Sequence, residues 1–220
     1  MDELELRVAW DQHVAPEAPT APSDEWFDAV LARHREPHRR YHGVRHLRWV
    51  VRHVIDLAGR PEANGRVADL GAVVAAAFFH DIVYDPTRTD NETVSAQLAE
   101  RALEELGWPP DRATSVAGLI DATASHAATA PADGGLDTAV LLAADLAVLA
   151  SDPASYAEYV VGVRAEYAHV SDAAWRKGRA LVLRAFTERP AIFDPELRLH
   201  AWERRARANL AAELASLSGA

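Results

Sequence analysis

The chain contains no cysteine, which removes disulfide frameworks, thiolate zinc sites, iron–sulfur clusters and thiol nucleophiles together. Lysine is almost missing as well: of 23 basic residues, only Lys177 is not arginine. Long apolar runs are absent. The longest, 70–79 and 139–150, fall well short of the roughly 20 residues a membrane helix needs, and Asp145 interrupts the second. No stretch alternates apolar and polar residues as a half-buried strand does, and there is no repeat, low-complexity tract or composition break. Positive charge is in deficit too. A formal net charge of −10 and a pI near 5.4 carry the wrong sign for a general nucleic-acid binder. The opening Met1-Asp2-Glu3-Leu4-Glu5 is acidic where a secretory signal is basic, so a cytoplasmic protein with no membrane partner is expected.

What is present reads as helix almost throughout. With 220 residues, 49% hydrophobic and 25% charged, the chain has the composition of an ordinary globular domain, able to bury roughly 70% of its unfolded surface. Leu47, Val50, Val51, Val54 and Ala58 fall on one face of a helix over about 42–60, and Val67, Leu70, Val74, Ala77 and Phe78 mark a second, more apolar one. Thr89-Asp90-Asn91-Glu92 has the form of a capping box for a third helix running to Gly107. Further helices are expected from Pro109–Pro110 onward, over 137–150, from Pro153, over 172–184 and over 195–217. Near the N-terminus, a helix over 23–36 follows a loop at 16–22 and a short opening helix. The expectation is an all-α bundle of eight to ten helices in one domain over 23–214, with 1–22 as an N-terminal helix and loop and 215–220 as a tail.

The chemistry lies in imidazoles and carboxylates set into apolar helices. His80-Asp81 ends the run Val73–Phe79, and Asp145 sits inside 141–149, an apolar stretch with no other charge. A buried carboxylate is costly unless it is paired or metal-bound, and few basic residues occur nearby. One divalent cation would satisfy both carboxylates; caps and backbone hydrogen bonds are the alternative. His42 and His46, four apart, are read as sharing a helix face, as metal-binding pairs and solvated pairs both do. His126 follows 116–125, where a histidine also complements a helix dipole.

The ordered series His46, His80-Asp81, Asp145 resembles the metal signature of the HD-domain superfamily of phosphohydrolases. The likeness extends to Arg40-Tyr41-His42-Gly43-Val44-Arg45-His46-Leu47, to His80-Asp81-Ile82-Val83-Tyr84-Asp85 followed by Asp90-Asn91-Glu92-Thr93-Val94-Ser95-Ala96, and to Ala122–His126, Ala144-Asp145-Leu146, Arg164-Ala165-Glu166-Tyr167 and 206–210. Together these are similar to a bacterial branch known largely as predicted metal-dependent phosphohydrolases, over about 23–214. The resemblance implies an HD-type helical fold in which His46, His80, Asp81 and Asp145 ligate one divalent metal. Oxygen and nitrogen donors without sulfur admit Mn, Fe, Co, Ni, Mg or Zn.

One departure bears on the reaction. In the deoxynucleotidase and alarmone-hydrolase branches a glutamate stands three positions after the HD pair and helps activate water; here that position is Tyr84, a poor base near neutral pH. Asp81, Asp85, Glu92 and His126 are the remaining candidates for proton transfer, although Glu92 also completes the capping box and Asp85-Pro86 also reads as a turn. Arg33, Arg35, Arg39, Arg40, Arg45, Arg48 and Arg52 surround the first ligand helix, mostly as a solvated face. Arg45 and Arg164, with His42 and Tyr84, are the candidates for substrate contacts, whereas Tyr156 and Tyr167 read as core stripe. The expected activity is hydrolysis of a small phosphate ester, a nucleotide among the candidates, by a metal-activated water. The rivals are an HD-type di-iron oxygenase and a non-catalytic metal- or nucleotide-binding sensor. Trp202, Leu210 and Leu214 on the last helix would pack on the core or on a second subunit of a homodimer.

Overall fold

A computed structural model describes residues 1–15, 23–126 and 135–218. The loop expected at 16–22 lies outside them. The described residues form ten α-helices and no strand, the all-α architecture expected. They divide into two compact units, Met1–Asp145 and Leu146–Ala220.

The first unit holds α1 (Glu3–His13), α2 (Ser23–His34), α3 (Val44–Ala58), α4 (Leu70–Phe79), α5 (Asn91–Glu105), α6 (Pro110–Thr123) and α7 (Asp137–Asp145). Helix α4 is apolar all round, and a helix of that kind must be enclosed. Every residue from Ala72 to Phe79 is buried, and α1, α3, α5, α6 and α7 all touch it. Trp10 of α1 is fully buried against Phe78, with ring centroids 5.2 Å apart, and its indole donates to Ser23 Oγ at 2.9 Å. In α3 only one stripe is apolar; Leu47, Val50, Val51, Val54 and Leu57 face inward, and His46 goes with them.

The second unit holds a 3-10 turn (Leu146–Ala150), α8 (Pro153–Glu166), α9 (Asp172–Thr187), a short 3-10 turn (Pro195–Leu197) and α10 (His200–Ser218). Trp202 packs edge-on against Phe193 at 5.6 Å, and Leu210 is fully buried. Asn209 donates to the carbonyls of Leu149 and Ser151, closing the end of the first 3-10 turn.

Four local expectations are corrected. The capping box at Thr89–Glu92 does not form: Asp90 is the N-cap of α5 without a side-chain bond to the helix, because Arg88 grips its carboxylate with two hydrogen bonds of 2.9 Å. The helix expected over 137–150 tightens to 3-10 after Asp145. The helix expected over 195–217 is broken at Arg198, whose φ of +50° is left-handed. The expected tail is helical through Ser218. No single helix among the described residues is long and apolar enough to cross a membrane.

Candidate metal centre

Three elements deliver the donors. His46 lies in the first turns of α3, on the apolar stripe that faces α4. His80 is the C-cap residue of α4, with its N–H bonded to Ala76 O, and Asp81 follows where the chain leaves the helix. Asp145 is the last residue of α7. His42 does not share a helix face with His46, because α3 starts only at Val44 with Gly43 as its cap. A β-carbon on Gly43 would stand 3.2 Å from the His34 carbonyl, so glycine permits this close passage. The His42 ring nevertheless meets that of His46 edge-on at 5.4 Å.

His46, His80 and Asp81 form a group able to hold a metal ion. His46 Nε2 lies 3.2 Å from His80 Nε2, 3.4 Å from Asp81 Oδ2 and 3.3 Å from Asp145 Oδ1. His80 Nε2 lies 3.3 Å from Asp81 Oδ2 and 3.7 Å from Asp145 Oδ1. Donors sharing one ion at about 2.1 Å stand roughly 3.0–3.4 Å from one another; the spacings among His46, His80 and Asp81 fall in that range, as does His46 to Asp145, whereas His80 to Asp145 at 3.7 Å lies outside it. The hydrogen bonding agrees. His80 Nδ1 lies 3.0 Å from Ala77 O, a carbonyl that can only accept, so the neutral ring carries its proton there and turns the Nε2 lone pair toward His46.

Electrostatics points the same way. Burial opposes charge on all four groups, but the close opposite charges outweigh it. Asp145 and Asp81 raise the His46 pKa, and Asp81 with Asp145 raise that of His80 well above its usual value. The carboxyls of Asp81 and Asp145 are held well below the usual range, the first mainly by His80 and His46, the second by His126, His46 and His80. Two protons directed from Nε2 atoms 3.2 Å apart into one space repel each other. A divalent ion held there would replace both and balance the two carboxylates. The histidine side chains are 1–2% exposed and the carboxylates 14–15%, so the cluster opens to solvent on its carboxylate side.

His126 stands at that opening. Its Nε2 lies 2.7 Å from Asp145 Oδ2, and its backbone is left-handed at φ +47°. The separation is a hydrogen bond, tighter than two donors to one ion. Tyr84 is half-buried, with its ring 4.2 Å from that of His42 and inclined by 29°, so two of the four expected substrate contacts lie side by side. Arg45 is exposed in the first turn of α3.

Asp85 Oδ1 accepts from Thr87 N and Oγ1, and its backbone is bonded to Asn91; this is the turn reading. Glu92 is half-buried in the first turn of α5. Arg164 belongs to the second unit, where its guanidinium holds Tyr167 O, Val170 O and Asp172. Tyr156 is buried there too, donating to Glu213. Arg39, read as part of a solvated face, has a fully buried side chain, because its guanidinium satisfies carbonyls on both sides of the site. Nothing in a run of arginines outside any regular period marked it out. No protein-family model, curated protein or solved structure matches the chain.

Proposed function

We propose that the chain is an HD-type metal-dependent phosphohydrolase acting on a small phosphate ester. The observation that carries this reading is the convergence of His46 Nε2, His80 Nε2 and Asp81 Oδ2 from two helices, with Asp145 Oδ1 of a third within 3.3–3.7 Å of the two imidazoles. His46, His80, Asp81 and Asp145 would hold one divalent ion, which when bound lowers the pKa of a coordinated water and polarises a phosphoryl oxygen. Asp81 and Asp145, on the open side, would orient such a water. His126, hydrogen-bonded through Nε2 to Asp145 Oδ2, would stabilise the developing charge or, as an imidazolium, protonate the leaving oxygen and end as the neutral ring. Tyr84 donates a hydrogen bond rather than acting as a base, and with His42 it offers aromatic surface to a nucleoside. Arg45 draws the phosphate toward the first turn of α3.

The test begins with elemental mass spectrometry on protein purified without an affinity metal column. About one transition metal per chain is expected, with phosphate release from a panel of nucleotides and sugar phosphates. Unchanged metal content in His80→Ala or Asp145→Ala would sink the assignment. Two irons per chain with oxygen uptake would replace it by the oxygenase reading. One metal without turnover, together with a nucleotide that raises the melting temperature, would leave a sensor.

A further inference from the structure

Residues 81–85 belong to no helix, so their carbonyls need partners from elsewhere. Every one has a side-chain donor: Arg39 Nη1 for Asp81 at 2.6 Å, Arg39 Nη2 for Ile82 at 3.1 Å, Ser95 Oγ for Val83 at 3.2 Å, His38 Nε2 for Tyr84 at 2.9 Å and Asn91 Nδ2 for Asp85 at 2.9 Å. Ser95 and Asn91 also accept from the amides of Val83 and Asp85. These bonds account for Asn91 and Ser95, which the sequence motif contains and the proposed chemistry does not use.

Arg39 does more than close one side of the turn. Its Nη1 also reaches His42 O at 3.2 Å, Glu36 fixes its Nε at 3.1 Å, and its guanidinium lies 5.5 Å from the centre of the Tyr84 ring. One rigid planar group is therefore bonded both to the segment leading to His46 and to the turn bearing Asp81 and Tyr84. We propose that Arg39 is a positioning residue, setting the register between these two segments and hence the spacing of His46 from His80 and Asp81. The inference rests on the metal reading above. Lysine would keep the charge but lacks the fixed fork that meets several carbonyls at set angles.

The experiment compares wild type, Arg39→Lys and Glu36→Gln, far below their melting temperatures, by two readouts. The first is Mn2+ titration followed by loss of the free-ion electron paramagnetic resonance signal. The second is amide hydrogen exchange at Ile82–Asp85 in the metal-free chain. Arg39→Lys should bind Mn2+ roughly 10–100-fold more weakly, the usual effect of removing an outer support of a metal site, with faster exchange in the turn. Glu36→Gln should move both readouts the same way by less. A role in stability alone would lower the melting temperature and leave both unchanged, and that result in a folded Arg39→Lys overturns the proposal. If Arg39→Lys does not fold, Glu36→Gln with wild-type affinity and exchange overturns it. A wild type that binds neither Mn2+ nor Zn2+ sinks the metal reading instead, and the exchange rates then decide the role of Arg39.

Discussion

At His126 a non-glycine residue holds φ +47° while its Nε2 meets Asp145 Oδ2 at 2.7 Å. A left-handed backbone disfavours a residue with a β-carbon by roughly 1–2 kcal/mol, so the side-chain bond is kept against a local penalty. His126→Ala and His126→Gly both lose the imidazole and should lose turnover alike, but the glycine variant should be more stable by about 1 kcal/mol. Equal urea midpoints for the pair would remove the strain from the account. His34 offers a pH test. It is buried, its Nδ1 donates to Val30 O, and burial pushes its pKa down to about 3 from 6.5. Between those values the unfolded chain holds one more proton at this residue than the folded chain, so stability falls as pH falls from 6.5 toward 3. His34→Gln should flatten the stability curve between pH 6 and pH 4 by about 1.4 kcal/mol per pH unit, measured by urea unfolding; an unchanged slope would mean that His34 is charged in the fold. At this scale His80, Asp81 and Asp145 were legible because charge inside an apolar run needs a partner, whereas His46 stood out only through its spacing from His42 and the family resemblance. Arg39 was not, since its burial depends on carbonyls brought from residues 81 and 82.

Among the elements of the second unit, α8, α9 and α10 are joined by buried polar groups. Arg179 of α9 donates from Nε and Nη2 to both oxygens of Glu213 on α10, at 2.8 and 3.0 Å, and Tyr156 of α8 donates to the same carboxylate. Burial and Glu213 together raise the Tyr156 pKa. Only Arg179 and Leu183 of α9 are buried, so this network carries much of the helix's attachment. Removing one partner of a buried ion pair strands the other, typically at 3–5 kcal/mol. Arg179→Met or Glu213→Leu alone should therefore destabilise by that order, whereas the double substitution should recover part of the loss, because apolar groups of similar volume replace both charges while the Tyr156 hydroxyl, left without its acceptor, keeps a cost of about 1–3 kcal/mol. A double variant as unstable as the sum of the singles would show that the pair does not act as a unit. Helix positions themselves were legible from the 3.6-residue period. Ends were less so: the cap of α5 expected at Thr89 falls one residue on, at Asp90, whose carboxylate is held by Arg88 rather than by the helix.

For the whole molecule, the division between Asp145 and Leu146 left no trace in the sequence, because α7 passes into a 3-10 turn inside one apolar run without proline, glycine or a change in composition. The proposed ligands all precede that boundary. An ion that binds the folded chain and not the unfolded one stabilises it by about 2.7 kcal/mol at 100 times Kd, which for a chain of this size is roughly 5–10 °C in melting temperature. Metal-stripped protein titrated with Mn2+ should show that rise, and a chelator should reverse it. With 33 acidic residues and a net charge of −10, diffuse cation binding would also stabilise the fold, but only by screening, which Na+ at matched ionic strength reproduces. The discriminating comparison is Asp145→Asn. It removes one formal charge from the chain and so changes diffuse binding little, but it replaces the anionic oxygen facing His46 and His80 with a neutral amide, a much weaker donor to a divalent ion. A specific site predicts that the Mn2+-dependent rise collapses in this variant while the Na+-dependent part remains. A rise that survives the substitution would place the ion among the surface carboxylates and leave the cluster as an ion-paired core of two histidines and two aspartates.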